Sequence, residues 1–565
     1  MDQRRVILAV FLMFVVAIVP ALLFKPKPGA RTGVPSDTSA AALRPPSAAP
    51  AETLPLPSAR PPVRPSAALP AETVWVSSSL YRYGFSTRGA RLMAAELESY
   101  KSFAPADSGR RVQLIPFDAP LLGLRIVVGS DTVSLADASF TADQKRVTVD
   151  GASTTLTLTA PVGGGTVRVA YQFVPDDYHF KVSGSVAGLG GSGGLLIVDL
   201  GQGLRSVEAE PLTDYREYAV VTKADKTQKE TFASLDPGKS AVLDGPFEWV
   251  AVKSKYFFAA ILAPDQNARP FAGAVATGLA REPVTASSLF GSRSTLLATR
   301  TAVVTTVALP PAGSFRYDVY LGPFEHHRLD QLGHGLDDAN PYGWSIFRPI
   351  IHPVSIVVVR ILFWMHGALR LPYGWVLIAF GVLIRLLLWP LQRRAMESQM
   401  RMQAVQPLMQ DIQNRYKNDP QRLQQEMMRL YKEHKVNPFG GCLPMLLPMP
   451  VLLALFFVFS NTIEFRGVPF LWLPDLSRAD PVYIIPIIMG LSMFAVSKIG
   501  QRGLPPNPQT KTFLYVMPAM MTFIFLRLAS GLNLYYAVQN LISLPQQWQI
   551  SKRRLAAQNR PSGGT

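Results

Sequence analysis

The chain has 565 residues, 48% hydrophobic and 17% charged, a balance too apolar and too sparsely charged for a soluble protein of several domains. Its formal charge of +17 comes without zinc-finger spacing, an RNP-type aromatic motif or a Gly-rich nucleotide loop, so specific nucleic-acid binding is not expected; anionic lipid and loop topology account for the charge. The single cysteine, Cys442, excludes an internal disulfide, and seven histidines without paired ligand spacing argue against a metal site.

In chain order, residues 1–24 place Arg4 and Arg5 before the apolar run VILAVFLMFVVAIVPALLF. That run is longer than a signal-peptide core and has no small-residue cleavage site directly after it, which predicts an uncleaved signal-anchor span with a cytoplasmic N-terminus. Residues 25–72, crowded with Pro, Ala and Ser, read as an extended tether. Residues 73–335 change to short alternating segments broken by Gly, Pro and Asp, as in LYRYGFS and in TTLTLTAPVGGGTVRVAYQF, two strands around a Gly-rich turn. They predict one all-β sandwich. His179 in DDYHFKV has no evident catalytic partner and reads as structural.

Past Asn340 the chain is mostly apolar, with clear spans at 373–391, 440–465, 481–498, 512–528 and 530–549. Basic residues crowd alternate connections: Arg393 to Lys435, then Lys498, Arg502 and Lys511, then Lys552 to Arg560 in the tail 550–565, against Arg466 and Arg478 on the other side, with Arg527 at a boundary. The positive-inside rule makes the first set cytoplasmic. With the anchor entering from the cytoplasm, that count holds if 343–370, which carries Arg348, His352, Arg360 and His366, lies in the outer interface as an amphipathic helix. The expectation is six spans, five of them forming a core bundle, with both termini inside and the β domain outside. No internal repeat of the kind common in transporters accompanies them.

Two features put polar groups inside the membrane. Arg385 sits within VLIAFGVLIRLLLWPLQRR, where a central Arg costs about 2.5–3.5 kcal/mol and marks either a functional site or a side chain snorkelling to the interface. The last span, GLNLYYAVQNLISLPQQWQ, sets Asn533, Tyr536, Asn540, Ser543 and Gln547 three or four residues apart on one stripe, broadened by Tyr535, Gln539 and Gln546. Such a stripe is interhelical glue or the wall of a wet cavity. Between the spans, 392–438 reads as a cytoplasmic helical hairpin in which Asp419 caps the second helix and Pro420 opens it. Leu423, Met427, Leu430 and Tyr431 form its apolar stripe, and Glu426 is placed to pair with Arg422 and Arg429. Its methionines, among them Met427 and Met428, either zip the two helices or receive apolar surface.

QRLQQEMMRLYKEHKVNPFGGCLPMLLPMPVLLALF, then PFLWLPDLSRADPVYIIPIIMGLSMF and SGLNLYYAVQNL, closely resemble the YidC/Oxa/Alb membrane protein insertases, in their Gram-negative bacterial branch. The resemblance covers Phe347 to Lys552, and the anchor, tether and β domain fit the long periplasmic insert of that branch. It implies an inner-membrane insertase and chaperone, not an enzyme, acting on nascent membrane proteins alone or with the Sec translocon, without nucleotide or metal. Anionic lipids, the ribosome and the signal recognition particle receptor are further candidate partners. The resemblance also implies that Arg385 is the groove arginine, that Tyr536 is the substrate-contacting tyrosine, and that the β domain is a supersandwich like that of sugar mutarotases. Gly381 stands where the family often has threonine, Pro448 where glutamine is common, and Asn533 where an apolar residue is common. From the residues alone, a small-solute secondary transporter and a membrane-tethered carbohydrate enzyme or binding module are the competing readings.

Overall fold

A computed structural model describes residues 71–188, 193–287, 293–340, 342–343, 347–434, 449–502 and 512–558. The expected signal anchor, nearly all of the tether, Cys442, Pro448 and the end of the tail lie outside the described residues.

The β region forms sheets of five, nine and six strands. Period-two alternation sets their faces: in Gly165–Phe173 the side chains of Val167, Val169, Tyr171 and Phe173 are buried while Thr166, Arg168 and Gln172 are exposed. This strand pairs antiparallel with Thr154–Val162 across Gly163 and Gly164, both at positive φ, which a tight hairpin turn needs. The nine-stranded sheet is centred on Ser314–Pro323, flanked by His179–Ala187 and Phe257–Leu262. The five-stranded sheet packs on it through aromatics: Phe85 lies 4.5 Å from Tyr171 and 5.8 Å from Phe173, centroid to centroid.

Eight helices follow the β region among the described residues. Helix α1 (Arg348–Leu369) buries Ile351, Ser355, Val358, Val359, Leu362 and Met365 along one face. The opposite face presents Ile350, Val357 and Trp364, each more than half exposed, beside Arg360. That face is apolar where a helix resting on water would be polar. By length and composition α1 is fit to cross a membrane, as is Tyr373–Gln392.

Helix α2 (Tyr373–Ala404) runs without a break from the expected span into the expected hairpin, 32 residues in all and about 48 Å long. The interruption comes at Val405, where Pro407 in the first turn of α3 (Gln406–Arg415) has no N–H to continue the ladder. Helix α4 (Pro420–Glu433) completes the hairpin. Its cap is Asp419, whose carboxylate accepts the Arg422 N–H at 3.1 Å. The Tyr431 hydroxyl reaches Met409 Sδ at 4.0 Å and Leu430 is buried, so this stripe zips the hairpin, while Met427 is half-buried and Met428 is 51% exposed. Arg429 pairs with Glu433 at 2.8 Å and Arg422 with Asp419 at 3.7 Å, in place of the pairing with Glu426 read from the sequence; the capping carboxylate and the last-turn glutamate are the nearer acids.

The remaining helices are α5 (Met449–Asn461), α6 (Ile484–Gly500), α7 (Met517–Phe525, entered through a π turn at Thr512–Val516) and α8 (Ser530–Gln558). Helix α6 starts three residues later than expected because Tyr483 sits at φ +59° and the Asp480 carboxylate takes the Ile485 N–H at 2.8 Å. Helix α8 has 29 residues, long enough to span, and its amides make it less apolar than α1 or Tyr373–Gln392.

Phe85→Ala should lower the stability of the β region by about 3–5 kcal/mol, read as a shift in urea midpoint with unchanged slope. Asp419→Ala should cost α4 about 1 kcal/mol, seen as roughly fivefold faster hydrogen exchange in its first turn and no change in α8.

Candidate functional site

Helices α2 and α8 meet along a seam that passes Gly381. A Cβ there would stand 3.1 Å from Val538 Cγ1, and the Gly381 carbonyl accepts the Gln539 amide N–H at 2.7 Å. One turn further along α2, Arg385 is 9% exposed and its Nη2 donates to Gln546 Oε1. The guanidinium therefore meets an amide there, which satisfies a donor but leaves the charge uncompensated. Tyr535 fills the seam beside Phe380, with ring centroids 5.9 Å apart. Among the described residues, Arg385 Nε, the Tyr535 hydroxyl and, two turns beyond Arg385, Gln392 Oε1 are buried without a protein partner. Buried polar atoms of this kind call for water or the polar groups of a bound chain.

The stripe of five does not face Arg385. Asn533 is fully buried and donates to the Phe525 carbonyl at 2.9 Å. Asn540 donates to Ser492 Oγ at 3.1 Å, Ser543 returns its hydroxyl to the Asn540 carbonyl at 2.6 Å, and Gln547 lies beside Gly500. The Tyr536 ring packs tilted against that of Phe525, 5.5 Å between centroids. These residues turn toward α6 and α7, whereas Tyr535, Gln539 and Gln546 turn toward α2, about 100° round the helix at 3.6 residues per turn. Helical periodicity identifies a stripe but not the neighbour it meets. Gln392 was missed by the sequence reading, although its place seven residues after Arg385 puts it on the same face.

The end of the seam nearest the β region is closed by the segment joining α5 to α6. Phe470 lies over the start of α2, where a Cβ on Gly374 would overlap its ring, and Trp375 packs edge-on to it at 5.6 Å. The start of α8 is held by the same segment: Ser530 N–H donates to the Arg478 carbonyl at 2.6 Å and Gly531 N–H to that of Leu476 at 2.9 Å. Phe465, Leu473 and Leu476 are buried behind it.

Elsewhere, His179 Nε2 bonds Asp318 Oδ2 at 2.9 Å, and His334 Nδ1 bonds Glu248 Oε1 at 2.7 Å; all four side chains are largely buried in the β region. Asp337, Asp338 and His352 bring ligand-type atoms within 4.8 Å of one another, but Asp338 already binds Lys223 at 3.0 Å and Arg348 at 2.6 Å. The cluster is an ion-pair junction between the β region and α1.

Residues 73–353 match the family described as YidC periplasmic domain, and residues 364–558 that described as 60Kd inner membrane protein. The membrane protein insertase YidC of Oleidesulfovibrio alaskensis is 30% identical over 572 residues, covering 98% of this chain and 100% of that one. Among solved structures, an active YidC insertase with its first transmembrane domain resolved aligns at 17% identity over 85% of this chain and 95% of that one, with a TM-score of 0.35. A galactose mutarotase related enzyme from Lactobacillus acidophilus aligns at 9% identity over 44% of this chain and 97% of that one, with a TM-score of 0.26. Two family matches that together run from the first strand to the end of α8, with a relative aligned along its whole length, establish that the chain belongs to the YidC family.

Proposed function

We propose that this chain is a membrane protein insertase and chaperone, acting on nascent membrane proteins alone or with the Sec translocon. The observation that carries this reading is the α2–α8 seam: a buried guanidinium with no countercharge at its hydrogen-bonded end, flanked by orphaned polar atoms and closed at one end.

The distribution of basic residues puts the closed end on the periplasmic side of a bacterial inner membrane, with six spans and both termini in the cytoplasm. On that topology α1 rests in the outer interface, Trp364 and Arg360 at the headgroups. The seam is then hydrated from the cytoplasm, and Arg385, Tyr535, Gln539 and Gln546 line it. A substrate's hydrophilic tail enters this wet groove and exchanges bulk water for the orphaned polar atoms. An acidic tail is drawn further by the guanidinium. Helix α6, 17 residues and about 25 Å, is shorter than a typical hydrocarbon core of about 30 Å, which reduces the distance that tail must cross. The substrate's apolar segment leaves sideways into lipid, driven by about −0.3 to −0.6 kcal/mol per large aliphatic residue. The membrane potential adds about 2.3 kcal/mol per elementary charge per 100 mV. No covalent step is required. Met428 and Leu408, exposed on the hairpin, offer apolar surface to incoming segments, and the basic tail offers charge to anionic lipid or the ribosome. Tyr536, packed on α7, supports the groove wall from behind.

The test is depletion of a host's own insertase with this chain supplied in trans, following a single-span substrate with a short acidic tail. Wild type should insert it, and Arg385→Ala should reduce insertion at least fivefold at equal protein level; full insertion by Arg385→Ala would remove the arginine from the mechanism. Gly381→Leu should cost about 1–3 kcal/mol by overpacking against Val538, lowering the melting temperature in detergent and insertion together, whereas Gly381→Ala should cost less than Gly381→Leu in both.

A further inference from the structure

The segment between α5 and α6 is fastened at both ends. On one side Arg466, its side chain 2% exposed, leaves the 3-10 turn Ile463–Phe465 and enters the β region. Its guanidinium passes 4.3 Å from the Phe103 ring and 5.5 Å from the Phe257 ring. It then donates Nε–H to Glu208 Oε1 at 2.7 Å and Nη2–H to the Val207 carbonyl at 3.3 Å. Gly467 follows at φ +71°, its backbone so close to Phe103 that a Cβ would stand 2.9 Å from Cζ. Ile463 joins the β-region core, and the Tyr342 hydroxyl meets Thr462 Oγ1 at 3.1 Å. On the other side, the Asp475, Leu476 and Arg478 carbonyls receive Ser530 Oγ–H, Gly531 N–H and Ser530 N–H, the first groups of α8. Within the segment, Leu476 N–H returns to the Val468 carbonyl at 3.0 Å, and Phe470 and Leu473 exchange a backbone pair at 2.9 Å. A continuous line of hydrogen bonds and short covalent runs thus joins Glu208 to Ser530, five residues before Tyr535.

A buried ion pair adds little net stability compared with apolar residues of the same shape, and a role in fixing one geometry is the better-attested reason to keep one. We propose that Arg466 is a positioning residue for the groove: through Glu208 it lets the β domain hold the segment that sets the rotation and height of α8, and so the presentation of Tyr535 and Gln539 to α2. This rests on the insertase reading above.

The full-length chain in proteoliposomes tests it, with two readouts: hydrogen exchange of the Ser530 and Gly531 amides, and insertion of the single-span substrate. Arg466→Met should speed exchange at these two amides at least tenfold and cut insertion at least fivefold, with exchange across Gly165–Phe173 unchanged. Arg466→Lys, which keeps a cation over Phe103, should recover part of both. The pair Arg466→Met with Glu208→Leu leaves no lone buried charge, so it should keep the β core and still show fast exchange at 530 and 531. Wild-type exchange there in either variant, fast exchange with undiminished insertion, or loss of protection in Gly165–Phe173 in both variants would overturn the proposal. Failure of the wild-type chain to insert the substrate would strike the insertase reading instead.

Discussion

A guanidinium between apolar helices must be hydrated, neutralised or carried to the interface, and Arg385 is held in place by an amide, Gln546, that neutralises nothing. Its Nε and the Tyr535 hydroxyl share the seam, Gln392 Oε1 follows two turns on along the same face of α2, and all three are without partners among the described residues. In hydrocarbon each would cost several kcal/mol. The arrangement is tenable if solvent or a polypeptide reaches the seam, and the closure around Phe470 and Ser530 leaves the far end as the route. Snorkelling, the simpler reading of an arginine near a span end, would leave the head free of α8 rather than bonded to it.

Helix α8 serves two purposes on adjacent faces. Toward α6 and α7 its polar groups bond at short range: Asn540 with Ser492, and the Asn533 amide N–H with the end of α7, while Asn533 Oδ1 is left without a partner among the described residues. These act as interhelical glue. Toward α2 the polar groups are incompletely satisfied. The contacts at Ser530 and Gly531 fix the start of the helix as well. On the role proposed for Arg466, the β region is a structural anchor for the membrane bundle as well as an external domain.

The strands were legible because period-two alternation is strong in segments such as TVRVAYQF, and the Gly-rich turn required the positive φ that Gly163 and Gly164 supply. Asp419 and Pro420 marked the start of α4 for a similarly local reason. Long-range partners were not legible. Nothing in DDYHFKV points to Asp318, far along the chain, as the residue that bonds His179. Nor does EFRGVPF reveal Glu208, although a cation in so apolar a stretch was itself a signal. The stripe from Asn533 to Gln547 was correctly placed on one helical face, but which helix that face meets depends on packing. Hence Tyr535, Gln539 and Gln546, which periodicity places at the edge of the stripe, are the residues on Arg385's side. Gly381 is informative for the same reason: its missing side chain matters because Val538 stands opposite.

Insertion by this route requires that solvent reach the middle of the α2–α8 seam. A spin label at Gln546→Cys, in a Cys442→Ser background that leaves no other thiol, would report it directly through deuterium modulation in D2O with the protein in bilayers. A strong deuterium signal, quenched by a membrane-impermeant relaxant added from the hairpin side but not from the β-domain side, is the predicted result. A label that sees no deuterium and responds instead to lipid-dissolved oxygen would contradict the account.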